Sequence, residues 1–232
     1  MEKLKNVLIV GGSSSLGLSL VSSFLKRNCQ VCYTYNKNKN VFDKNVTSIN
    51  LDLKSEKSIS IFVDSLKNKE KFDIVIFLPA LLFGKKLEDY LYNEIHDCMS
   101  VNFNSQAYIL SKILKKLSNQ CCILFVSSIS GEKGSYDPIY AASKGAQIAF
   151  VKSLSNWLSP KLRINVISPS LIEDSKMYYE MDEKRRNFHK SSNPMNKLLT
   201  KEELSEIICD ITSEHWSHFN GQILPVNGGQ YS

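Results

Sequence analysis

Short apolar runs alternate with longer segments of helical periodicity along the whole chain. The apolar runs predict strands at 6–10, 30–35, 46–51, 73–78, 121–126, 163–168 and 222–226. The segments between them predict helices near 16–27, 56–68, 87–99, 103–118, 140–158 and 201–213. Continuously apolar strands separated by helices are typical of a parallel sheet that is covered on both faces. The pattern therefore predicts a doubly wound α/β fold with a seven-stranded, mostly parallel sheet.

The length of 232 residues suits one domain, 1–232, which can bury roughly 70–75% of its unfolded surface. The net charge of +6 is mild and favours anionic ligands such as phosphates, or an acidic partner. No basic stripe with interleaved aromatic residues is present, so we expect no nucleic-acid partner. No apolar run is long enough for a signal peptide or a membrane span, which predicts a cytoplasmic protein without a membrane anchor.

The six cysteines lie mostly inside apolar runs, which predicts buried, reduced thiols. Cys29 and Cys32 have the spacing of a redox or zinc motif, but no second pair accompanies them and Cys32 falls inside a predicted strand. His215 and His218 lack a third ligand nearby. We therefore expect no metal site.

The candidate chemistry centres on Tyr140 and Lys144, which follow the strand-terminal Ser128. In a helix the four-residue spacing puts the phenol and the ammonium on one face. A tyrosine needs its pKa lowered by about three units to act as a base at neutral pH, and a cation about 4 Å away supplies a comparable energy. A serine hydroxyl beside them completes a site that moves a proton on or off a carbonyl oxygen.

The same Tyr-x-x-x-Lys spacing occurs at Tyr33, Tyr35 and Tyr108, so the spacing alone proves little. Only Tyr140 has a strand-terminal serine upstream and small residues between the tyrosine and the lysine. The alternative is an amphipathic helix that carries a solvated ion on its face.

The turn after the first strand reads Gly11-Gly12-Ser13-Ser14-Ser15-Leu16-Gly17 and leads into a helix. Backbone N–H groups of such a turn, together with the helix N-terminus, can hold a pyrophosphate. A glycine-rich corner between a strand and a helix is the alternative. The predicted pyrophosphate site comprises Gly11, Ser13, Ser14, Ser15, Leu16 and Gly17.

Together these motifs resemble the short-chain dehydrogenase/reductase family over essentially the whole chain. The resemblance implies a Rossmann fold, a nicotinamide cofactor, and the roles of general acid/base for Tyr140, of its partner and ribose contact for Lys144, and of substrate orientation for Ser128. Val10 and Ser15 depart from the family's Thr-Gly-x-x-x-Gly-x-Gly motif, in which a threonine and a glycine stand at these positions.

The resemblance also predicts which residues select the cofactor. Tyr35 stands where NAD-dependent members carry an acid, and Asn36 and Lys37 follow it. Without a carboxylate to repel a 2′-phosphate, NADP(H) is preferred to NAD(H). An ordinary polar loop is the alternative for Lys37. Asp52 resembles the family's adenine-binding acid, with Leu53 packing nearby, although Asp52 could instead cap a turn.

Where the family carries Asn-Asn-Ala-Gly, this chain reads Phe77-Leu78-Pro79-Ala80, with Pro79 and Ala80 expected beside the cofactor. Asn102 matches the asparagine that supports proton relay in the family, and a purely structural kink is its alternative. Pro169 and the Ile172 backbone match the segment that contacts the nicotinamide.

The predicted function is the NADP(H)-dependent interconversion of a ketone and a secondary alcohol, as in ketoacyl-carrier-protein reductase-like members of the family. The substrate would be a small carbonyl or alcohol, carrier-bound or anionic, with 3-oxoacyl thioesters expected first. Sugar or nucleotide-sugar oxidoreduction and a non-catalytic nucleotide-binding role are the alternatives. The resemblance implies that residues 174–197 form a substrate lid, for which an ordinary solvated helix is the alternative. It also implies a homodimer or homotetramer through helices 103–118 and 140–158.

Overall fold

The structure is a computed structural model that describes residues 4–40, 42 and 45–231. Its strands form one sheet in which neighbouring strands are all parallel. The strands are β1 (Asn6–Val10), β2 (Gln30–Tyr35), β3 (Val46–Asn50), β4 (Phe72–Phe77), β5 (Leu117–Val126), β6 (Leu162–Pro169) and β7 (Ile223–Val226). Their order across the sheet is β3-β2-β1-β4-β5-β6-β7.

Helices follow every strand that precedes another except β2, and they cover both faces of the sheet. They are α1 (Ser15–Lys26), α2 (Glu56–Ser65), α3 (Tyr92–Met99), α4 (Ser105–Ile113), α5 (Ser130–Lys133), α6 (Pro138–Leu158), α7 (Lys176–Glu180), α8 (Glu183–Ser191) and α9 (Lys201–Ile211). The chain adds β2 and β3 on one side of β1 and then β4 to β7 on the other. This confirms the predicted doubly wound α/β fold, which is the Rossmann fold.

The sheet separates two layers of buried apolar side chains, and β1 shows how the sequence produces them. Leu8 and Val10 belong to one layer, whereas Val7 and Ile9 belong to the other. Since alternate residues of a strand point to opposite faces, a strand covered on both faces has no exposed position and is apolar throughout.

The predicted helix 103–118 is wrong at both ends. A π-helical turn, Ser100–Asn104, joins α3 to α4, and a short 3₁₀ turn, Leu114–Lys116, ends the helical part. The chain then enters β5 at Leu117, earlier than the predicted strand 121–126, because the buried Leu117 pairs with Phe72 of β4. Helical periodicity continues through this segment, but a long-range pairing decides its structure.

The predicted helix 87–99 is also interrupted. Leu87–Asp89 forms a 3₁₀ turn, and α3 begins only at Tyr92. The Glu94 carboxylate accepts a hydrogen bond from the Leu91 backbone N–H at 3.0 Å, which caps the new helix start.

All six cysteines are free and buried, as predicted. Among the described residues, no group of three or more histidine, cysteine, aspartate or glutamate side chains is arranged to hold a metal ion. The helices of the described part of the chain include none whose length and apolar character would allow it to cross a membrane.

Candidate active site

The loops that follow β1, β4, β5 and β6 meet at the carboxyl edge of the sheet. All strands are parallel, so their carboxyl ends lie together, and the reversal of strand order at β1 and β4 makes this edge a ligand crevice in such folds. The glycine-rich turn follows β1, Pro79 follows β4, Ser128 follows β5, and Pro169 ends β6. The structure therefore brings these predicted site residues to one edge.

The candidate acid/base pair lies in the first two turns of α6. Pro138 is the first helical residue, and Asp137 caps the helix by accepting a hydrogen bond from the Tyr140 backbone N–H at 2.9 Å. Tyr140 is 5% exposed and Lys144 is 1% exposed. The Lys144 Nζ lies 6.0 Å from the centroid of the Tyr140 ring. The predicted proximity of the two side chains is thus present in a buried setting.

Burial dominates the pKa values of both groups. It raises the pKa of Tyr140 to about 12, against the opposing effect of the neighbouring Ser128 side chain. It lowers the pKa of Lys144 to about 7. The Lys144 Nζ donates to the Val126 backbone carbonyl at 2.8 Å and to Gln147 Oε1 at 3.4 Å. Burial therefore disfavours the charged form of the lysine, and in this arrangement its charge does not offset the effect of burial on the phenol.

Ser128 is held in the turn between β5 and α5. Its Oγ accepts a hydrogen bond from the Ser130 backbone N–H at 3.1 Å. A Cβ added to Gly131 would lie 2.8 Å from the carbonyl carbon of Lys144, so α5 packs directly on α6 and glycine is required at the contact. This packing brings Ser128, Tyr140 and Lys144 together.

Asn102 lies in the π-helical turn and is fully buried. Its Oδ1 accepts from the Leu81 backbone N–H at 2.6 Å, while its Nδ2 donates to the Leu81 carbonyl at 2.9 Å and to Ser143 Oγ at 2.8 Å. Its backbone carbonyl accepts from Gln147 Nε2 at 2.7 Å. The side chain thus fastens the segment after β4 to α6, and the backbone carbonyl faces the network around the lysine.

The glycine-rich turn is tight for reasons of backbone geometry. Gly11 has a φ of +83°, a conformation that favours glycine. A Cβ on Gly17 would lie 2.5 Å from the Gly12 Cα, so α1 rests directly on the turn. Ser14 caps α1, since its Oγ accepts from the Gly17 backbone N–H at 3.1 Å. The turn and the helix N-terminus form a backbone cradle that fits a pyrophosphate.

The other two serines of the turn, Ser13 and Ser15, differ from Ser14 in their hydrogen bonding. No hydrogen bond within the described residues involves the hydroxyl of Ser13 or Ser15, and both side chains are half-buried. Leu16 is buried and packs in the core layer beneath the turn. The hydroxyl of Ser15, where the family carries glycine, therefore fits the role of a phosphate donor.

The loop that follows β2 carries the residues expected to select the cofactor. Tyr35 is half-buried, whereas Asn36 and Lys37 are exposed. The loop is fastened further along by Tyr33, whose hydroxyl donates to the Asn40 carbonyl at 2.6 Å and accepts from the Asn40 N–H at 3.1 Å. This anchor holds the lysine-bearing loop beside the glycine-rich turn.

Asp52 and Lys54 form the turn that follows β3. Asp52 Oδ1 accepts from the Lys54 backbone N–H at 2.9 Å, which is the turn role named above as the alternative. Leu53 is buried in the core layer. One carboxylate oxygen of Asp52 thus shapes the turn, and Oδ2 makes no hydrogen bond within the described residues.

The altered segment Phe77-Leu78-Pro79-Ala80 contains no polar side chain of its own, and its surroundings fit this apolar character. Phe77 is fully buried and stacks on Phe125 with ring centroids 4.6 Å apart. Pro79 lies against the glycine-rich turn, and its carbonyl accepts a hydrogen bond from Gln106 Nε2 at 3.1 Å. Ala80 is exposed beside it.

At the end of β6, Pro169 is buried in the sheet, and Ile172 forms an isolated bridge with Leu199. The hydroxyls of Ser168 and Ser170 are buried and have no hydrogen-bond partner among the described residues. Buried polar atoms normally find partners, so this edge of the sheet fits a ligand that carries an amide such as that of nicotinamide.

The predicted lid segment forms α7 and α8, and its basic residues face aromatic rings. The Arg185 guanidinium lies 5.2 Å from the Tyr136 ring centroid, and that of Arg186 lies 5.1 Å from the Tyr178 ring centroid. Burial lowers the pKa of His189, with smaller contributions from Lys133 and Arg185. The predicted lid segment therefore carries positive charge beside Tyr136, which lies between α5 and α6.

The sequence analysis missed two groups of residues that support the site. Gln147 is fully buried and contacts Lys144, and the fully buried Gln106 contacts Gln147. The Tyr90 hydroxyl donates to the Asp137 carboxylate at 2.6 Å, and the Gly84 backbone N–H donates to it at 2.8 Å. Asp137 followed by a proline is a helix-start signal that the sequence carries. A glutamine three residues after the lysine, among apolar neighbours, is a weaker signal.

A family model described as enoyl-(acyl carrier protein) reductase matches residues 10–231. The chain is 26% identical over 236 residues to the 3-oxoacyl-acyl-carrier-protein reductase FabG of Buchnera aphidicola subsp. Baizongia pistaciae, covering 100% of this chain and 89% of that protein. A curated tropinone reductase homolog of Arabidopsis thaliana is 27% identical over 244 residues, with 98% of this chain and 91% of that protein covered.

Solved structures share the fold. A short chain dehydrogenase family protein from Francisella tularensis superposes with a TM-score of 0.91 at 23% identity, covering 98% of this chain and 99% of that chain. A tyrosine-to-phenylalanine variant of ElxO with NADPH bound superposes with a TM-score of 0.87 at 22% identity, with the same coverage of 98% and 99%.

Proposed function

The chain belongs to the short-chain dehydrogenase/reductase family of oxidoreductases, and we propose that it interconverts a ketone and a secondary alcohol with NADP(H). The observation that carries this proposal is the joint placement of Ser128, Tyr140 and Lys144 at the carboxyl edge of the sheet. The phenol and the amine are both buried there, on one face of α6.

Each catalytic candidate has one role in the proposal. Tyr140, whose pKa burial keeps high, enters a reduction protonated and donates its proton to the substrate oxygen. Ser128 donates a hydrogen bond to the same oxygen. Lys144 in its charged form stabilises the phenolate that the proton transfer leaves behind. Asn102 holds the segment after β4 against α6 and supplies a backbone carbonyl to the lysine network.

The nicotinamide cofactor supplies the hydride when it is bound. The backbone of Gly11 to Gly17 and the α1 N-terminus would hold its pyrophosphate. The turn at Asp52 and Leu53 would border the adenine, with Asp52 Oδ2 as acceptor. Pro79 and Ala80 on one side and Pro169 and Ile172 on the other would border the nicotinamide end.

NADP(H) is proposed over NAD(H) because of the loop after β2. Tyr35 and Asn36 carry no negative charge, and the exposed Lys37 lies next to them. The ElxO structure similar to this chain has NADPH bound, which supports the proposal. A 2′-phosphate would meet no like charge from Tyr35 or Asn36 and could pair with Lys37.

A 3-oxoacyl thioester is the proposed substrate class. Several relatives, among them the Buchnera protein, are 3-oxoacyl-acyl-carrier-protein reductases. The basic lid with Arg185 and Arg186 suits an anionic or carrier-bound substrate.

We also propose a dimer or tetramer, since Tyr108 of α4 and Trp157 of α6 are exposed at 44% and 84%. Light scattering on the purified protein measures the assembly.

The first experiment titrates the protein with NADPH and with NADH and follows nicotinamide fluorescence. Tighter NADPH binding, weakened about tenfold in Lys37→Ala, supports the cofactor assignment, whereas NADH preference overturns it.

The second experiment compares acetoacetyl thioesters with aldoses and nucleotide sugars. Faster turnover of a sugar would replace the substrate assignment. Binding without turnover of any carbonyl would support the non-catalytic alternative.

A further inference from the structure

Two glutamines, Gln106 on α4 and Gln147 on α6, are 0% exposed and lie beside the catalytic lysine. Gln106 Nε2 donates to the backbone carbonyls of Pro79 at 3.1 Å and Val101 at 2.8 Å. Gln147 Nε2 donates to the Asn102 backbone carbonyl at 2.7 Å and to Gln106 Oε1 at 3.0 Å. The two amides therefore join the segment after β4 to the catalytic helix.

The neighbours leave each amide one orientation. A backbone carbonyl only accepts, so the two carbonyls beside Gln106 require its NH₂ group and direct its oxygen to Gln147. For the same reason the NH₂ group of Gln147 faces that oxygen and the Asn102 carbonyl. The Gln147 oxygen is then left for Lys144, whose Nζ donates to it at 3.4 Å. The hydrogen bonds run in one direction, from the ammonium towards β4.

We propose that Gln147 is a positioning residue that holds the Lys144 ammonium in place, and that Gln106 fixes the orientation of the Gln147 amide. This inference rests on the proposed function, because it concerns the lysine of that site. Among the described residues the ammonium has two acceptors, the Val126 carbonyl and Gln147 Oε1. Hydrogen bonds from a charged donor are stronger than those from a neutral one, so each acceptor favours the protonated lysine.

Few other groups compete for this role. Cys98 on α3 acts on Lys144 electrostatically, and Tyr140 lies one turn before it on α6. Asp137, at the start of α6, acts on Tyr140 and Cys98. None of them makes a hydrogen bond with the Lys144 Nζ in the described part of the chain. The Val126 carbonyl is backbone and persists in every variant, so Gln147 is the partner that a substitution can remove.

The test measures the Lys144 pKa in the cofactor-free protein through the carbon-13 shift of its Cε, assigned by its loss in Lys144→Met. In Gln147→Met we expect the pKa to fall by up to about one pH unit, which is the size of a full hydrogen bond to a charged group and an upper bound for a contact of 3.4 Å. Gln147→Glu has nearly the same volume and places a carboxylate at the acceptor, so it should raise the pKa. Gln106→Met should lower it by less than Gln147→Met.

Asn165→Leu is the matched control, because it removes another buried amide, one that bonds only the backbone of Phe219 and Gln222. We expect it to lower the melting temperature and to leave the Lys144 pKa unchanged. An unchanged Lys144 pKa in Gln147→Glu and in either methionine variant would overturn the proposal. Should Gln147→Met not fold, Gln147→Glu and Gln106→Met decide the question.

Turnover separates this inference from the proposed function. In an active enzyme, Gln147→Met should move the rise of alcohol oxidation with pH to higher pH by a similar amount, with KM unchanged, because a less charged lysine leaves the phenol harder to ionise. A shifted Lys144 pKa in a protein that turns over no carbonyl supports the positioning role and contradicts the function. An active protein in which substitution of Gln147 changes neither the Lys144 pKa nor the pH profile contradicts the positioning role alone.

Discussion

The strands β4 and β5 are neighbours whose Phe77 and Phe125 rings stack, yet the segments that follow them work in different ways. After β5 the proposed site uses a side chain, the Ser128 hydroxyl beside Tyr140. After β4 it depends on backbone groups of Pro79 and Leu81, which hydrogen-bond to side chains from elsewhere. Since every residue supplies a carbonyl, the sequence after β4 is free to depart from the family pattern, whereas the sequence after β5 is not.

The polar side chains that bind the backbone after β4 come from helical segments. Asn102 and Gln106 supply amides from the π-helical turn and α4, and they bind the backbone of the altered segment. Phe77 and Leu78 are left free to extend the apolar core. The backbone of the altered segment is thus held by side chains from outside it, so the residues within the segment need not be polar.

The largest expected effect is that of Tyr140→Phe, on the side of the site that uses side chains. Removing the hydroxyl should reduce turnover by about 10²- to 10⁴-fold, the usual contribution of a general acid/base, with little change in the free energy of unfolding. The measurement is NADPH oxidation in the presence of a carbonyl substrate. Tyr108→Phe is the matched control, because Tyr108 is also followed four residues later by a lysine but is 44% exposed. Equal losses in both variants would contradict the assignment.

Phe77→Asn restores the family residue at the end of β4 and should nevertheless destabilise the fold. It buries an amide at a fully buried apolar position and removes the stacking on Phe125, for a loss of about 2–4 kcal/mol in the free energy of unfolding. Urea unfolding measures the loss. Phe77→Leu keeps the position apolar and should cost less than about 1.5 kcal/mol. A stable asparagine variant would show that the altered segment is not tied to its apolar surroundings.

Lys144→Met tests how the buried amine beside the end of β5 makes the free energy of unfolding depend on pH. The pKa of Lys144 is about 7 in the fold and 10.5 as the ordinary value, so between these pH values the unfolded chain binds a proton that the folded chain lacks. Raising the pH through this window therefore stabilises the wild type, by up to about 1.4 kcal/mol per pH unit. The difference between wild-type and Lys144→Met unfolding energies should show this slope. An equal slope for the exposed Lys112→Met would contradict it.

The smallest expected effect is that of Pro79→Ala. The carbonyl that Gln106 binds remains, so the free energy of unfolding should fall by no more than about 1 kcal/mol, which is the entropic contribution of a proline in the unfolded chain. Thermal unfolding with and without NADPH measures both stability and cofactor binding. A loss of cofactor binding would show that the proline ring itself, rather than its backbone, matters beside Gly11.

The sequence predicted the fold and the site to different depths. The alternation of strands and helices, the turn after β1 and the Tyr140–Lys144 spacing follow from local patterns, because each depends on residues close in sequence. The contact between Gln147 and Gln106 joins residues 41 apart and could not be found that way. The start of β5 at Leu117 depends on its pairing with Phe72, again a distant residue. Contacts between residues far apart in sequence are therefore the part of the structure that local sequence patterns did not predict.

The six buried thiols allow the unfolding of different parts of the protein to be followed by chemical labelling. Cys32 and Cys121 lie in one core layer, and Cys29 and Cys209 lie in the other. A thiol-reactive label can reach them only when the surrounding layer opens, so labelling rates read by mass spectrometry would give an opening free energy for each face of the sheet. Equal rates on both faces would mean that the two layers unfold as one cooperative unit. Cys98, which donates a hydrogen bond to the Leu81 carbonyl, would report whether the candidate site opens before the core does.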